Sequence, residues 1–125
     1  HFFRWNVRGQ LKYVMQHGFR VGNEPVEGAY WEFENLDCGL VGVHDMLKFR
    51  KFGFGRATDQ TSLDIRNSGL SRAEAVKIVN ERDGQYSSEL IDLFCAHFGL
   101  LQTEFAQVVE SFTNASIFED RTKQV

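Results

Sequence analysis

The run Ser71-Arg72-Ala73-Glu74-Ala75-Val76-Lys77-Ile78-Val79-Asn80-Glu81-Arg82-Asp83-Gly84 carries both ends of a helix in its own letters. Ser71 and Glu74 stand at the spacing where a hydroxyl and a carboxylate each satisfy one backbone N–H that a helix start leaves without a partner. After Arg82 the pair Asp83-Gly84 turns the chain. The same grammar continues C-terminally: Ser87 or Ser88 caps a further helix, whose buried stripe is Leu90, Ile91, Phe94, Cys95 and Phe98 and whose stop is Gly99. Phe105, Val108, Val109 and Phe112 then fall at i, i+3, i+4 and i+7, the stripe of one more helix. Its start is weaker, because Leu101 stands where a Ser or Thr cap is expected before Glu104.

Working N-terminally, Thr58 caps a helix that ends near Gly69. Asp37 caps another that extends to about Phe52 and stops at Gly53, with Gly39 and Gly42 leaving room for a close neighbour. Asn6 caps a first helix to about His17, with Trp5, Leu11, Val14 and Met15 as its apolar stripe and Gly18 as its stop. Residues 19–35 mix turn residues, aromatics and the single proline, Pro25, without a helical period. They read as an irregular loop with room for a short strand. The expected fold is mainly α, a compact bundle of about six helices. The expected organisation is one domain over residues 1–119 and a frayed polar tail at 120–125.

Composition sets bounds. A chain of 125 residues, 42% hydrophobic and 14% aromatic, supports one core and leaves no room for a second. The net charge of -3 gives no global attraction to nucleic acid or to an anionic membrane, so any anion site must be local. Cys38 and Cys95 lie far apart, with neither a second Cys nor a His at zinc-binding spacing, which fits a reducing cytoplasm. No apolar run approaches a membrane span. The start His1-Phe2-Phe3-Arg4 has neither an initiator Met nor a signal-peptide layout, and suggests a fragment or a mature piece of something longer.

Chemistry concentrates between His44 and Arg66. On a helix, His44, Lys48 and Lys51 share one face as a cationic stripe. The helix runs into Gly53-Phe54-Gly55-Arg56, where two glycines free the backbone to approach a ligand and Arg56 offers a planar fork for carboxylate or phosphate. Thr58-Asp59 opens the next helix, whose unpaired N–H groups favour an anion, and Asp59, Ser62 and Arg66 form a second polar stripe. The plainer reading makes Lys48, Arg50 and Lys51 a solvated helix end that complements the dipole. The phosphate-binding patterns GxxxxGK[ST] and GxGxxG are both absent, so these residues hold no self-sufficient nucleotide cradle.

Other motifs are weaker. His44-Asp45, with His17 and either Asp64 or Asp92, could be cast as a metal-dependent phosphohydrolase of the HD type. Asp83-Gly84 would need an acidic calcium ligand at Leu90, which rules it out. Cys95 and His97 sit among apolar neighbours and are expected in the core.

Four strings together resemble the C-terminal part of bacterial N-acetyl sugar amidotransferases of the PP-loop ATP pyrophosphatase superfamily, which serve lipopolysaccharide (O-antigen type) and nonulosonic acid biosynthesis. They are Tyr30-Trp31-Glu32-Phe33-Glu34-Asn35-Leu36-Asp37, His44-Asp45-Met46-Leu47-Lys48-Phe49-Arg50-Lys51-Phe52-Gly53-Phe54-Gly55-Arg56-Ala57-Thr58-Asp59-Gln60, Asp64-Ile65-Arg66-Asn67 and Ser71-Arg72-Ala73-Glu74-Ala75. The resemblance implies conversion of a sugar acetamido group to an acetamidino group. ATP adenylates the amide oxygen, ammonia from a glutaminase subunit attacks, and AMP leaves. The family's Ser-Gly-Gly-x-Asp-Ser loop is not in these residues, so the chain is expected to be either the C-terminal piece of a longer protein or a separate subunit of a split one, with ATP and Mg bound mainly by an N-terminal PP-loop domain. The parent protein would be an enzyme, and the resemblance leaves open whether this chain alone is one.

Carried over, the resemblance makes His44, Asp45 and Asp59 candidate catalytic residues. It makes Lys51 and Arg56 candidate binders of pyrophosphate or of a nucleotide-sugar or sugar-acid substrate, and the stripes and loop described above add Lys48, Gly53, Gly55 and Arg66, with no resident metal site. The alternative is a non-catalytic helical adaptor that docks the glutaminase or another partner through an apolar patch at Tyr30, Trp31 and Phe33.

Overall fold

Helix starts in this chain, α2 excepted, are satisfied in three ways: by the adjacent side chain, by a carboxylate three residues on, or by a residue far away in sequence. The computed structural model describes residues 6–118. Among them are six helices, α1 (Val7–Gln16), α2 (Val41–Phe52), α3 (Arg56–Arg66), α4 (Arg72–Arg82), α5 (Ser88–Phe98) and α6 (Gln102–Phe112), and no strand. The mainly α expectation holds. Trp5 and the tail at 120–125 lie outside the described residues.

Local caps behave as the sequence implies. Asn6 accepts from Gly9 N at 3.1 Å, Ser87 Oγ accepts from Leu90 N at 3.1 Å, and Ser71 and Glu74 close their reciprocal pair at 3.3 and 3.0 Å. At α6, Leu101 offers no side-chain acceptor, but the Glu104 carboxylate takes Leu101 N at 2.9 Å, so half the motif survives. Two starts differ from expectation. α2 begins at Val41 after Leu40, with no side-chain cap, rather than at Asp37. α3 begins at Arg56 behind Gly55, which places Thr58 inside the first turn.

α2, α5 and α6 pack together around Val43, Met46, Leu90, Cys95, Phe105 and Val109. At about 1.5–3 kcal/mol for each large apolar side chain buried, this cluster is the principal hydrophobic store of the fold. Gly42 permits it: a Cβ there would meet Leu90 Cδ2 at 2.6 Å, so α5 seats against bare backbone. The expected stripes are only partly covered. Phe98, Val108 and Phe112 are 56%, 45% and 51% exposed, because no described element packs over that side of α5 and α6. His97 is also exposed rather than in the core, while Cys95 is buried as expected.

α3 packs on α4, and the irregular segment before α2 lies against α3. The backbone N–H groups of that segment go to a side chain instead of a strand, with Gln60 Oε1 accepting from Tyr30 N at 2.6 Å and Trp31 N at 3.0 Å. The indole of Trp31, 1% exposed, donates Nε1 to Asp64 at 3.0 Å. α1 has no buried residue, so its expected stripe of Leu11, Val14 and Met15 covers no core. It is tied down by Arg8, which forks onto Asp64 at 2.5 to 3.1 Å.

Candidate functional site

The 3.6-residue period of α2 sets the exposed half of the site. His44 is 75% exposed, Lys48 Nζ meets Asp59 and lies 4.7 Å from the Phe54 ring centre, and Lys51 lies exposed beside the Phe52 ring at 5.1 Å. With Leu47, Phe52, Phe54 and Phe112 these three line a surface groove of about 420 Å³. Cationic side chains therefore stand beside an aromatic floor.

Asp45, next to His44 but turned inward, is fully buried. A buried carboxylate needs a charged partner, and Arg56 supplies it, with Nε at 2.5 Å from one oxygen and Nη2 at 2.9 Å from the other. This hydrogen-bonded pairing outweighs desolvation and raises the Arg56 pKa further, so the guanidinium stays charged. Glu34 adds a longer contact to Arg56 at 3.7 Å and accepts from Gln60 Nε2 at 2.8 Å. His44 Nδ1 lies 3.2 Å from Asp45 Oδ1. If Nδ1 carries the proton and donates it to Asp45, Nε2 faces the groove as an acceptor.

The N-terminus of α3 departs most from expectation. The N–H groups of Gly55 and Thr58 are not waiting for an anion, because the Asp83 carboxylate accepts from Gly55 N at 2.8 Å, Thr58 N at 3.4 Å and Thr58 Oγ1 at 2.5 Å. Gly55 is needed for that approach: a Cβ would lie 2.6 Å from Asp83 Oδ1. The freedom at Gly55 thus serves an internal carboxylate, whereas exposed Gly53 closes α2 in the left-handed conformation at φ 77°.

Of the candidate residues, the fold brings His44, Lys48 and Lys51 into the groove, sets Asp45 and Arg56 directly behind His44, and joins Asp59 to Lys48. Arg66 lies apart at the end of α3, its Nε donating to Ser62 O at 3.2 Å. Of the residues that organise the site, Gln60, Glu34 and Asp83 had no place among the candidates, and Asp64 had one only as a metal ligand of the HD type. A signal existed for two of them: Gln60 and Asp64 stand four apart, flanked by the small residues Ala57 and Thr61 that a closely packed helix face needs.

The HD-type arrangement does not assemble. Asp64 is taken by Arg8 and Trp31, Asp92 by Gln102 and Asp45 by Arg56, and no group of three His, Cys, Asp or Glu among the described residues is placed to hold a metal ion. The apolar patch expected at Tyr30, Trp31 and Phe33 is also not exposed, since Trp31 is buried under stacked Phe33 at 5.1 Å. A second cavity of about 310 Å³ between α2, α5 and α6 is lined mainly by apolar groups such as Met46, Phe49 and Phe105, and, apart from Asp92 of the HD-type reading, by none of the candidate residues. No described helix is long and apolar enough to cross a membrane.

A comparison with curated proteins returned no match. A family model described as LPS biosynthesis protein WbpG-like, C-terminal domain, matches residues 27–125, a stretch that begins after α1 and contains the whole groove. The chain belongs to this family and takes part in lipopolysaccharide biosynthesis.

Proposed function

From that membership we propose that the chain is the substrate-facing C-terminal domain of an ATP-dependent amidotransferase that converts a sugar acetamido group to an acetamidino group. The observation that carries this reading is the groove itself, in which an Asp45-bound imidazole and two lysines face Phe52, Phe54 and Phe112. Aromatic faces suit the C–H surfaces of a sugar, and ammonium groups suit its phosphates or carboxylate. The working compartment would be the cytoplasm, with a nucleotide-binding PP-loop domain and an ammonia-supplying glutaminase as partners.

The residues divide as follows. Lys51, in no ion pair among the described residues, is the cation available to an incoming anion. Lys48 is shared with Asp59, and Arg56 is committed to Asp45. His44 would accept the proton released when ammonia adds to the activated amide carbon, while Asp45 holds the ring and stabilises the resulting imidazolium. ATP would supply the activation, releasing pyrophosphate as its AMP moiety joins the amide oxygen, and AMP would then leave with that oxygen. Among the described residues Asp45 and Asp59 already face cations and no group of three His, Cys, Asp or Glu is placed to hold a metal ion, so magnesium would fall to the nucleotide-binding domain.

The apolar side of the groove supports a second reading, in which Phe52, Phe54 and Phe112 dock the glutaminase and perform no chemistry. One experiment separates the two. Amidine formation is measured by mass spectrometry with the chain joined to its nucleotide-binding domain, given ATP, a nucleotide sugar and either free ammonia or glutamine plus glutaminase. On the substrate-facing reading, Lys51→Ala lowers the rate about tenfold to hundredfold with either nitrogen source. Wild-type rates for Lys51→Ala on free ammonia, with loss only in the glutamine assay, favour the docking reading. No product from the wild type under any condition overturns the amidotransferase assignment.

A further inference from the structure

We infer that Asp83 is a positioning residue for the groove, holding the segment Phe54–Asp59 in place from the far end of α4. The inference rests on the groove being the substrate site, and it concerns the geometry that presents the groove's residues. The N-cap of α3 is Gly55, a residue with no side chain to cap the helix that follows. The missing cap comes from the C-cap residue of α4, whose carboxylate makes three contacts at that end, to Gly55 N, Thr58 N and Thr58 Oγ1. An anionic oxygen there satisfies the open N–H groups and the positive end of the helix dipole together.

The segment that follows Asp83 reinforces the hold. Ser87 donates both N and Oγ to Glu27 at 2.6 and 2.5 Å, and the neighbouring Gly28 O accepts from Ala57 N at 3.2 Å. The turn between α4 and α5 therefore fixes the 27–28 and 55–58 segments against each other. Phe54 and Arg56 flank Gly55 directly, so the aromatic wall, the Arg56 fork behind His44 and the Asp59 partner of Lys48 all hang from atoms that Asp83 holds. A Ser or Asp at position 55 would have capped α3 locally. The remote carboxylate instead makes groove geometry depend on how α3 sits on α4.

The test uses the chain joined to its nucleotide-binding domain, with variants Asp83→Ala, Asp83→Asn and Gly55→Ala. Hydrogen exchange of peptides covering residues 53–60 is followed beside the rate of amidine formation. Asp83→Ala is expected to speed exchange at Gly55 and Thr58 by at least about tenfold, leave α5 and α6 unchanged, and lower turnover about tenfold. Asp83→Asn keeps one acceptor oxygen and is expected to stay within about threefold of the wild type in both readouts. Gly55→Ala, whose Cβ displaces the carboxylate while Asp83 remains, is expected to reproduce Asp83→Ala.

Unchanged exchange at 53–60 in Asp83→Ala overturns the inference, as does faster exchange with wild-type turnover. Exchange that rises equally in α5 and α6 also overturns it, because the role is then only global stability. If the wild type forms no amidine, the functional reading fails, while the exchange comparison still decides whether Asp83 holds the segment.

Discussion

Where α2, α5 and α6 meet, the buried side chains are Val43, Met46, Leu90, Cys95, Phe105 and Val109; where α2, α3 and the 27–34 segment meet, they include Trp31, Asp45, Gln60, Thr61 and Asp64. The first region is held by non-directional burial, which tolerates small shifts at modest cost. The second is held by directional bonds: Asp45 to Arg56, Gln60 to Tyr30, Trp31 and Glu34, Asp64 to Arg8 and Trp31. Such a network adds little net stability over an apolar core of the same shape, but it fixes geometry. It lies directly behind the groove that carries His44, Lys48 and Lys51. The contrast is physical: one side of the domain stores stability, and the other fixes positions.

The largest effect should come from breaking the polar side at its most buried charge. Arg56→Ala leaves Asp45 buried without its fork and is expected to cost roughly 3–5 kcal/mol, read as a fall in the urea unfolding midpoint. Replacing both partners, Asp45→Leu with Arg56→Leu, is expected to restore most of that stability while turnover stays lost. If the double variant is no more stable than Arg56→Ala, the pair contributes more than geometry, and the contrast between the two regions weakens.

A smaller break, at Gln60, compares isosteric changes on the two sides. Gln60→Leu keeps the volume but leaves the Tyr30 and Trp31 amides without their acceptor, at an expected cost of about 2–3 kcal/mol. Met46→Leu, also close to volume-conserving and in the apolar cluster, is expected to cost about 1 kcal/mol or less. Equal midpoints for the two variants in urea unfolding would show that the polar side is not the more exacting one.

These regions also differ in how far the sequence reveals them. Ser71 with Glu74, Ser87 and Gly53 announce helix ends because each acts within a few residues of itself, and the 3.6 period places His44, Lys48 and Lys51 on one face. The start of α3 is hidden because its cap, Asp83, lies 28 positions away from Gly55. Arg56 reads as a free fork for a ligand, but whether a fork points to solvent or to a buried carboxylate on another helix is decided by packing. Trp31, among turn residues, looks available as a docking surface; its burial depends on Asp64 accepting the indole N–H. The stripes of α5 and α6 give the right helices, yet their letters do not say which side another element covers, so Phe98 and Phe112 lie exposed.

The smallest expected effect sharpens the contrast from outside both regions. Glu74 at the start of α4 is exposed, and its hydrogen bonds from Ser71 lower its pKa from the ordinary value of 4.5. A carboxylate whose folded pKa is depressed contributes stability that is fully present above its unfolded value and is lost as pH falls through the folded one. Glu74→Gln retains an acceptor for Ser71 N but cannot titrate. The melting temperatures of wild type and Glu74→Gln should therefore differ only slightly near pH 7, and the difference should shrink as pH drops below about 4.5. A gap between the two that widens with acidification would have the wrong sign for a stabilised carboxylate. It would assign the Ser71–Glu74 contact no part in holding α4, leaving that helix to Ala75 and its packing against α3.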